Sequence, residues 1–311
     1  MTPAILCIKV DVDTERGTRI GVPNLVALFK RYNIPATFLF SLGPDNTGRA
    51  IKRIFRRGFL KKVSRTSVIS TYGLRTLLNG LLFPGPHIAK RHGAIMREVR
   101  DLGFEVGIHC YDHIRWQDGL AKMSRQAVFN ELNKAMTAFQ QVFSTPAQTA
   151  GAAGWQANAY SLAAYDAVNL LYASDTRGYQ PFFPRIADQV FKTLQIPTTL
   201  ATLDELLGRP EFPEHRLIDY YLSQLKPSLA NSLRPNVMTI HAEVEGMAKL
   251  QWFEAFLQAV QTPSVSKAIE CRLLQDVAKK LLQNKQDIPV NNLIMNEIDG
   301  RSGTLAVQSV M

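Results

Sequence analysis

Residues 4–13 read AILCIKVDVD, an apolar run that ends in two acids. A short apolar run followed at once by charge predicts a buried β-strand. Asp11 and Asp13 are two residues apart, so in a strand both carboxylates lie on the same face. Buried carboxylates are costly unless a cation or hydrogen bonds hold them. The pair either serves a metal site, one acid binding the ion and the other accepting a proton from water, or consists of solvated acids that end the strand.

Strand-like runs alternate with helical ones along the rest of the chain. The other apolar runs are ATFLFSL (36–42), FEVGIH (104–109), LLYAS (170–174) and VMTIHAE (237–243). This alternation predicts a parallel α/β sheet, either open or closed into a barrel. Polar residues end several of the runs, at the edge where parallel α/β folds build their sites. These residues are Asp11, Asp13, His109, Asp175 and His241.

Two histidines stand four residues apart, at His109 and His113. One helical face, or a strand that gives way to a helical turn, brings both imidazoles to one metal ion. The alternative is two unrelated histidines. His241, which leaves a predicted buried strand, is a candidate general acid or a core histidine. Asp175 is a candidate for orienting a histidine, or forms a turn.

A small-residue stretch, AGAAGWQ, occupies residues 150–156. Gly154 and its small neighbours permit a close approach of the backbone, and Trp155 could wall a pocket. The alternative is a tight turn with a core tryptophan.

The positive charge is concentrated in one part of the chain. The net charge is +10, yet no acidic residue lies between Asp45 and Glu98, where twelve Lys and Arg residues lie. Segment 47–89 is too long for an ordinary loop, and its apolar residues at helical spacing predict a basic helical insertion. It is either a membrane-docking element or a solvated helix packed on the core. The candidate membrane-binding residues are Lys52, Arg53, Arg56, Arg57, Lys61 and Lys62.

The composition indicates a folded chain with reduced cysteines. Apolar residues make up 46% and charged residues 20%, which excludes wholesale disorder. The three cysteines show no paired spacing, and we find no signal-peptide pattern and no membrane-spanning window. We interpret residues 1–283 as one domain with the insertion 47–89, and residues 284–311 as a polar C-terminal tail that is a candidate for disorder.

Taken together, the ordered motifs resemble the polysaccharide deacetylase superfamily, also called the NodB-homology family. The resemblance rests on the acid pair, the His-x-x-x-His motif, the small-residue stretch that ends in Trp155, Ser174-Asp175, and the late Ile240-His241. Within the superfamily, the chain is most similar to members that remove a formyl group from a lipid-linked amino sugar. The stretches that carry this similarity are VDVDTERGTRIGVPNL, SLGPDNTGR, AAGWQA, SDTRG and TIHAEVEG.

The resemblance implies a distorted (β/α) barrel with about seven parallel strands. It implies that Asp13, His109 and His113 bind a divalent metal ion, with zinc, manganese and cobalt all suitable for this ligand set. Asp11 is then the general base, and His241, oriented by Asp175, the general acid.

Two details of the family pattern are harder to place on this sequence. The oxyanion donor, a backbone N–H in the small-residue stretch, falls near Gly154 and Trp155. Many members have an arginine near Gly151 that pairs with the base, and none stands there. Arg16 and Arg177 are the candidate substitutes.

The implied substrate is 4-deoxy-4-formamido-L-arabinose on undecaprenyl phosphate, which would yield formate and the amino sugar lipid used in lipid A modification and in resistance to polymyxin and other cationic peptides. The implied partners are this lipid-linked sugar and the anionic cytoplasmic face of the bacterial inner membrane, with no nucleic acid. One alternative is a deacetylase of chitin or peptidoglycan, which would need an export signal. The other is a nucleic-acid-binding protein that uses the basic segment, which leaves the ordered acids and histidines unexplained.

Overall fold

The computed structural model of the protein describes residues 3–50, 79–80, 83–227 and 233–309. Each of the five predicted apolar runs overlaps a strand, and the described chain has further strands, several of them only two or three residues long. In chain order the strands are β1 (Ala4–Val12), β2 (Ala36–Ser41), β3 (Glu105–Cys110), β4 (Thr149–Ala150), β5 (Tyr172–Ala173), β6 (Phe183–Ile186), β7 (Gln189–Val190), β8 (Leu194–Gln195), β9 (Asn236–His241), β10 (Ile269–Cys271), β11 (Val290–Glu297) and β12 (Thr304–Ser309).

Amphipathic helices lie between the strands and bury their apolar faces. The first of them buries Leu25 and Phe29, and the fourth buries Leu132 and Phe139. In chain order the helices are α1 (Val22–Arg31), α2 (Ile88–Asp101), α3 (His113–Gly119), α4 (Arg125–Phe143), α5 (Ala159–Ala167), α6 (Leu203–Leu206), α7 (Leu217–Gln224), α8 (Leu250–Gln261), α9 (Pro263–Ser266) and α10 (Leu274–Leu281).

Parallel pairing joins eight strands into the main sheet of the described chain. The continuous path is β10-β1-β2-β3-β4-β5-β8, and β9 joins it by pairing with β1. In register, Asp11 on β1 faces Leu39 on β2 and His241 on β9. The predicted distorted (β/α) barrel of about seven parallel strands is therefore confirmed, and the pairing brings two candidate site residues to neighbouring strands.

The two faces of β1 enter different parts of the core. Leu6, Ile8, Val10 and Val12 pack in the large apolar cluster that includes the helices. Ile5 and Cys7 instead pack in a second cluster, which also contains Tyr172 and Leu194 from the far side of the sheet. Since side chains alternate along a strand, Lys9 and Asp11 lie on the same face as Ile5 and Cys7. Along this face of β1, the apolar side chains of Ile5 and Cys7 are followed by Lys9 and then by Asp11 at the candidate site.

The interpretation of residues 284–311 as a disordered tail is wrong for the described part of that segment. Strand β11 pairs antiparallel with β12 and parallel with β6, and β6 pairs with β7, which makes a second, four-stranded sheet. Leu293 and Leu305 are buried there, and the Gln308 side chain donates to Asn291. The segment looks polar in sequence because it contains amide side chains. In the structure two of these amides are buried and hydrogen-bonded to each other within the sheet.

Most of the basic insertion lies outside the described residues, and so do Lys52, Arg53, Arg56, Arg57, Lys61 and Lys62. The described residues at its two ends are joined by hydrogen bonds. The Gly48 N–H donates to Asn79 O, and Arg49 Nε donates to Gly80 O. Phe83, on the second flank, is 59% exposed. Within the described ranges, no helix combines the length and the apolar character that crossing a membrane requires.

Candidate active site

Asp13, His109 and His113 form a compact cluster at the carboxyl edge of the main sheet. Nε2 of His109 lies 3.2 Å from Asp13 Oδ1, and Nε2 of His113 lies 3.3 Å from the same oxygen. One ligand atom from each of the three residues lies within 4.8 Å of the others. The His109 side chain is buried, whereas Asp13 and His113 keep some exposure, so that the cluster is reached from solvent.

The spacing of the two histidines works through a change of backbone structure. His109 is the penultimate residue of β3, and His113 is the first residue of α3. Asp112 caps that helix by accepting from the Arg115 N–H, and its other oxygen accepts from Asn46. The strand-to-helix arrangement, one of the two that the spacing allows, is therefore the one that the protein uses.

The electrostatics of the cluster suit a cation. Burial would raise the pKa of Asp13, but His113 and His109 hold it well below its usual range. Burial lowers the pKa of His109, and Asp11 and Asp13 more than offset this and raise it. Among the described residues, no well-directed hydrogen bond reaches Asp13 Oδ1 although it is buried. A divalent metal ion fits this arrangement, in which a buried carboxylate oxygen lies near two imidazole nitrogens and accepts no well-directed hydrogen bond from the described residues.

Asp11 and His241 flank this cluster from neighbouring strands. Oδ1 of Asp11 lies 3.8 Å from His109 Nδ1, and neither atom has a hydrogen-bond partner in the described chain. His241 ends β9, directly beside Asp11, and its ring meets the Trp155 ring edge-on at a centroid distance of 6.4 Å. The structure thus brings together a candidate base, a candidate acid and a candidate metal site.

Asp175 does not orient His241, contrary to the sequence prediction. It is fully buried, and its carboxylate accepts from the Ala152 N–H at 2.6 Å and from Gln195 Nε2 at 3.3 Å. Burial raises the pKa of Asp175 to about 6. Within the described ranges, no hydrogen bond or ion pair joins Asp175 to His241. The carboxylate instead fixes the small-residue loop 150–156, because it accepts the backbone N–H of Ala152 within that loop.

Trp155 walls the site, but its backbone is not the oxyanion donor that the sequence suggests. Its N–H donates to Ala152 O at 3.0 Å inside a short 3-10 turn, and is therefore already used. The side chain is buried, with the indole Nε1 donating to Thr198 Oγ1. Gly154 adopts φ of 62°, and a Cβ there would lie within 2.4 Å of the Gln117 amide, so the turn needs glycine.

Within the described residues, no ion pair joins Asp11 to Arg16 or Arg177, the two candidate substitutes for the missing arginine. Arg177 is buried and donates to Glu205 and to Leu200 O. Arg16 is half-buried and directly precedes the π-helical turn Gly17–Gly21. The cation beside Asp11 is Lys9, whose Nζ lies 3.6 Å from Asp11 Oδ2. A lysine inside a predicted buried strand, two residues from an acid, was the available signal.

The C-terminal sheet closes over the loop that carries Trp155. The guanidinium of Arg301 lies 4.3 Å from the centre of the indole ring, and Gln156 Nε2 donates to Thr304 O. Strand β12 also exchanges backbone hydrogen bonds with Arg177, through Ala306 O and the Gln308 N–H. No motif in the sequence pointed to these C-terminal residues as part of the site.

Two buried glutamates that follow His241 in the chain hydrogen-bond to residues at the site. Glu243 accepts from both the backbone N–H and the hydroxyl of Thr14, which follows Asp13, and Glu245 accepts from the His241 N–H. Burial, together with Asp13, raises the pKa of Glu243 well above its usual range, and burial raises that of Glu245 to about 8. Both side chains thus hold backbone that carries site residues.

Comparison with known proteins gives the family. No family model matches the chain. A protein of Shewanella sediminis (strain HAW-EB3), named "Probable 4-deoxy-4-formamido-L-arabinose-phosphoundecaprenol deformylase ArnD", is 36% identical over 98% of this chain and 94% of its own. A protein of Wigglesworthia glossinidia brevipalpis with the same name is 33% identical over 94% of this chain and 98% of its own.

A solved structure supports the fold independently. A protein from Mycobacterium smegmatis, described as a polysaccharide deacetylase, superposes with a TM-score of 0.61 at 15% identity, over 96% of each chain. At that identity the likeness concerns the fold alone, and the two relatives decide the family. The chain belongs to the ArnD family of formamido-arabinose deformylases, amide hydrolases built on the polysaccharide-deacetylase fold.

Proposed function

We propose that this protein hydrolyses the formamide of undecaprenyl-phosphate-linked 4-deoxy-4-formamido-L-arabinose, with a divalent metal ion held by Asp13, His109 and His113. The products are formate and the amino sugar lipid, which serves lipid A modification and resistance to cationic peptides. The observation that carries the proposal is the buried Asp13 Oδ1, which accepts no well-directed hydrogen bond within the described chain and has two imidazole nitrogens within 3.3 Å, next to Asp11 and His241. The substrate follows from the names of the two relatives.

The residues of the chain divide the reaction between them. When bound, the metal ion supplies Lewis-acid polarisation of the formyl oxygen and a lower pKa for water. Asp11 accepts the proton of the attacking water through Oδ1, the oxygen that has no partner in the described chain. His241 gives a proton to the nitrogen of the leaving amine, since an amine leaves poorly without one. The edge-on packing of Trp155 restricts where the His241 ring can lie.

Formyl specificity is tested with paired substrates. We expect formate release from the lipid-linked formamido sugar to exceed acetate release from its N-acetyl analogue by about tenfold or more, because a site that fits the formyl group would discriminate against one extra carbon. Both acids are quantified enzymatically under the same metal and detergent conditions. Equal or faster acetate release would favour the amino-sugar deacetylase, and release of neither acid would reject the proposed reaction.

The basic insertion, residues 47–89, is the proposed membrane-docking element. Its lysines and arginines would face anionic lipid, and the strongly exposed Phe83 on its flank supports an apolar contact with the interface. Such docking is useful because the sugar is carried by a membrane lipid.

Liposome sedimentation tests the docking. Wild-type protein is expected to sediment with phosphatidylglycerol vesicles, whereas the combined variant Arg53→Glu, Arg56→Glu, Arg57→Glu, Lys61→Glu is expected to remain in the supernatant. Each basic residue near such a surface contributes about 1 kcal/mol. The matched control reverses four exposed charges elsewhere, at Lys122, Arg125, Lys279 and Lys280. Equal sedimentation of the insertion variant and wild type would contradict the docking role.

A further inference from the structure

We propose that Lys9 is a positioning residue for the hydrolytic reaction, which holds the Asp11 carboxylate so that one oxygen faces the metal cluster. The inference rests on the proposed function of Asp11 as the base. Lys9 lies within β1, two residues before Asp11, and has no exposed surface. A buried ammonium is costly, so what it contacts indicates why the chain keeps it.

The contacts of Lys9 all lie around the site. Its Nζ donates to Ser174 O at 3.1 Å and lies 3.6 Å from Asp11 Oδ2. The same atom lies 5.5 Å from the centre of the Trp155 ring, within the range of a cation–π contact. Burial lowers the pKa of Lys9, and the carboxylates of Asp11 and Asp175 oppose this. One ammonium therefore ties the base on β1 to the end of β5 and to the wall of the site.

The two oxygens of Asp11 are thereby distinguished. Oδ2 is the oxygen near Lys9, whereas Oδ1 lies 3.8 Å from His109 Nδ1 and has no hydrogen-bond partner among the described residues. Without Lys9 the carboxylate could turn about its Cβ–Cγ bond. Reaction rates depend steeply on such alignment, because a misplacement of about 1 Å can cost about 100-fold.

The space around Lys9 Nζ has no room for a second cationic side chain from position 151. Gly151 lies at the end of β4, and a Cβ there would come within 2.4 Å of Leu39 Cδ1 and 3.2 Å of Ser174 O. The same Cβ would lie 3.6 Å from Lys9 Nζ, so the lysine occupies the adjoining space. In this chain the cation beside the Asp11 carboxylate therefore comes from β1. The glycine at position 151 leaves the space that the Lys9 side chain occupies.

The test compares Lys9→Met, which keeps length and apolar volume, with the conservative Lys9→Arg. Lys280→Met, at an exposed lysine, is the matched control. We expect Lys9→Met to lower kcat about 100-fold with KM within about twofold, and Lys9→Arg to recover most of the rate. Metal content after gel filtration and the melting temperature are measured for each variant. Bound metal is expected to stay at the wild-type level, since Lys9 contacts no metal ligand in the described structure. If Lys9→Met does not fold, Lys9→Gln takes its place.

A double-variant cycle separates positioning from general stability. In the Asp11→Asn background, Lys9→Met is expected to cost less than about threefold, because the group that it positions is gone. A full additional loss in that background would overturn the inference, as would wild-type kcat in Lys9→Met. So would failure of Lys9→Arg to restore any rate to a folded, metal-loaded protein.

Two substrates keep this inference distinct from the proposed function. The variants are assayed on the lipid-linked formamido sugar and on 4-nitrophenyl acetate, whose hydrolysis needs the same activated water but no sugar contacts. Hydrolysis of the ester without formate release from the sugar would reject the proposed substrate. The ratio of Lys9→Met to wild type on the ester would still decide the role of Lys9.

Discussion

Asp13→Asn is expected to lose bound metal and formate release together. The substitution removes the negative charge at the oxygen that lies within 3.3 Å of both imidazole nitrogens, while it keeps the shape of the side chain. A metal ion contributes several kcal/mol to charge stabilisation, so the rate should fall by about 1,000-fold or more. Metal content by mass spectrometry and formate release, each after chelation and again after metal add-back, check the result.

The outcome should be specific to the cluster. His113→Ala is expected to behave like Asp13→Asn, because it removes another of the three ligands. Asp188→Asn is the matched control, since Asp188 is exposed in the turn between β6 and β7. Wild-type metal content and activity in Asp13→Asn would show that the cluster is not the metal site, and would leave the two histidines as an ion pair with Asp13.

His241→Ala is expected to lower the rate on the formamido sugar by about 100- to 10,000-fold while bound metal stays unchanged. The side chain packs against Trp155, no hydrogen bond or ion pair in the described chain joins it to the three proposed ligands, and the bond from the His241 N–H to Glu245 survives truncation. The end of β9 should therefore keep its place. Formate release, metal content and melting temperature are the measurements, with His215→Ala, at an exposed histidine, as the control.

The leaving group tells whether His241 acts as an acid. An amine needs a proton to leave, whereas 4-nitrophenolate does not, so His241→Ala should lose much less activity on 4-nitrophenyl acetate than on the amide. Similar losses on both substrates would contradict proton donation and would indicate that His241 binds or shapes the site instead. Loss of metal in His241→Ala would contradict the assignment of its ring outside the metal shell.

The long buried strands were predictable because their apolar runs are continuous. The runs at 4–10, 36–42 and 104–109 became β1, β2 and β3 with small changes at their ends, and this placed Asp11, Asp13 and His109 at one sheet edge. The predicted run 170–174 forms only the two-residue strand β5, and its neighbour β4 is equally short. Both are held by pairing with neighbouring strands, so their lengths depend on the assembled sheet rather than on local preference.

The partners of buried polar groups were not predictable from one sequence. Asp175 ends a strand as expected, yet its carboxylate found the Ala152 N–H rather than His241. The cation for Asp11 came from Lys9 on the same strand rather than from Arg16 or Arg177. Both outcomes depend on distances across the sheet, which the sequence does not contain. The partners of β11 and β12 were equally unpredictable, because their buried amide side chains read in the sequence as a solvated tail.

The place of β12 in the chain sets the order in which the enzyme matures. Ribosomes make Thr304–Ser309 after every other described element, and this strand supplies the carbonyl groups of Thr304 and Ala306 that fasten the loop bearing Trp155 and its neighbour Arg177. A nascent chain can pair its main sheet while these contacts are still missing. We therefore expect the loop that carries Trp155 to settle only after β12 has been made and has paired with it.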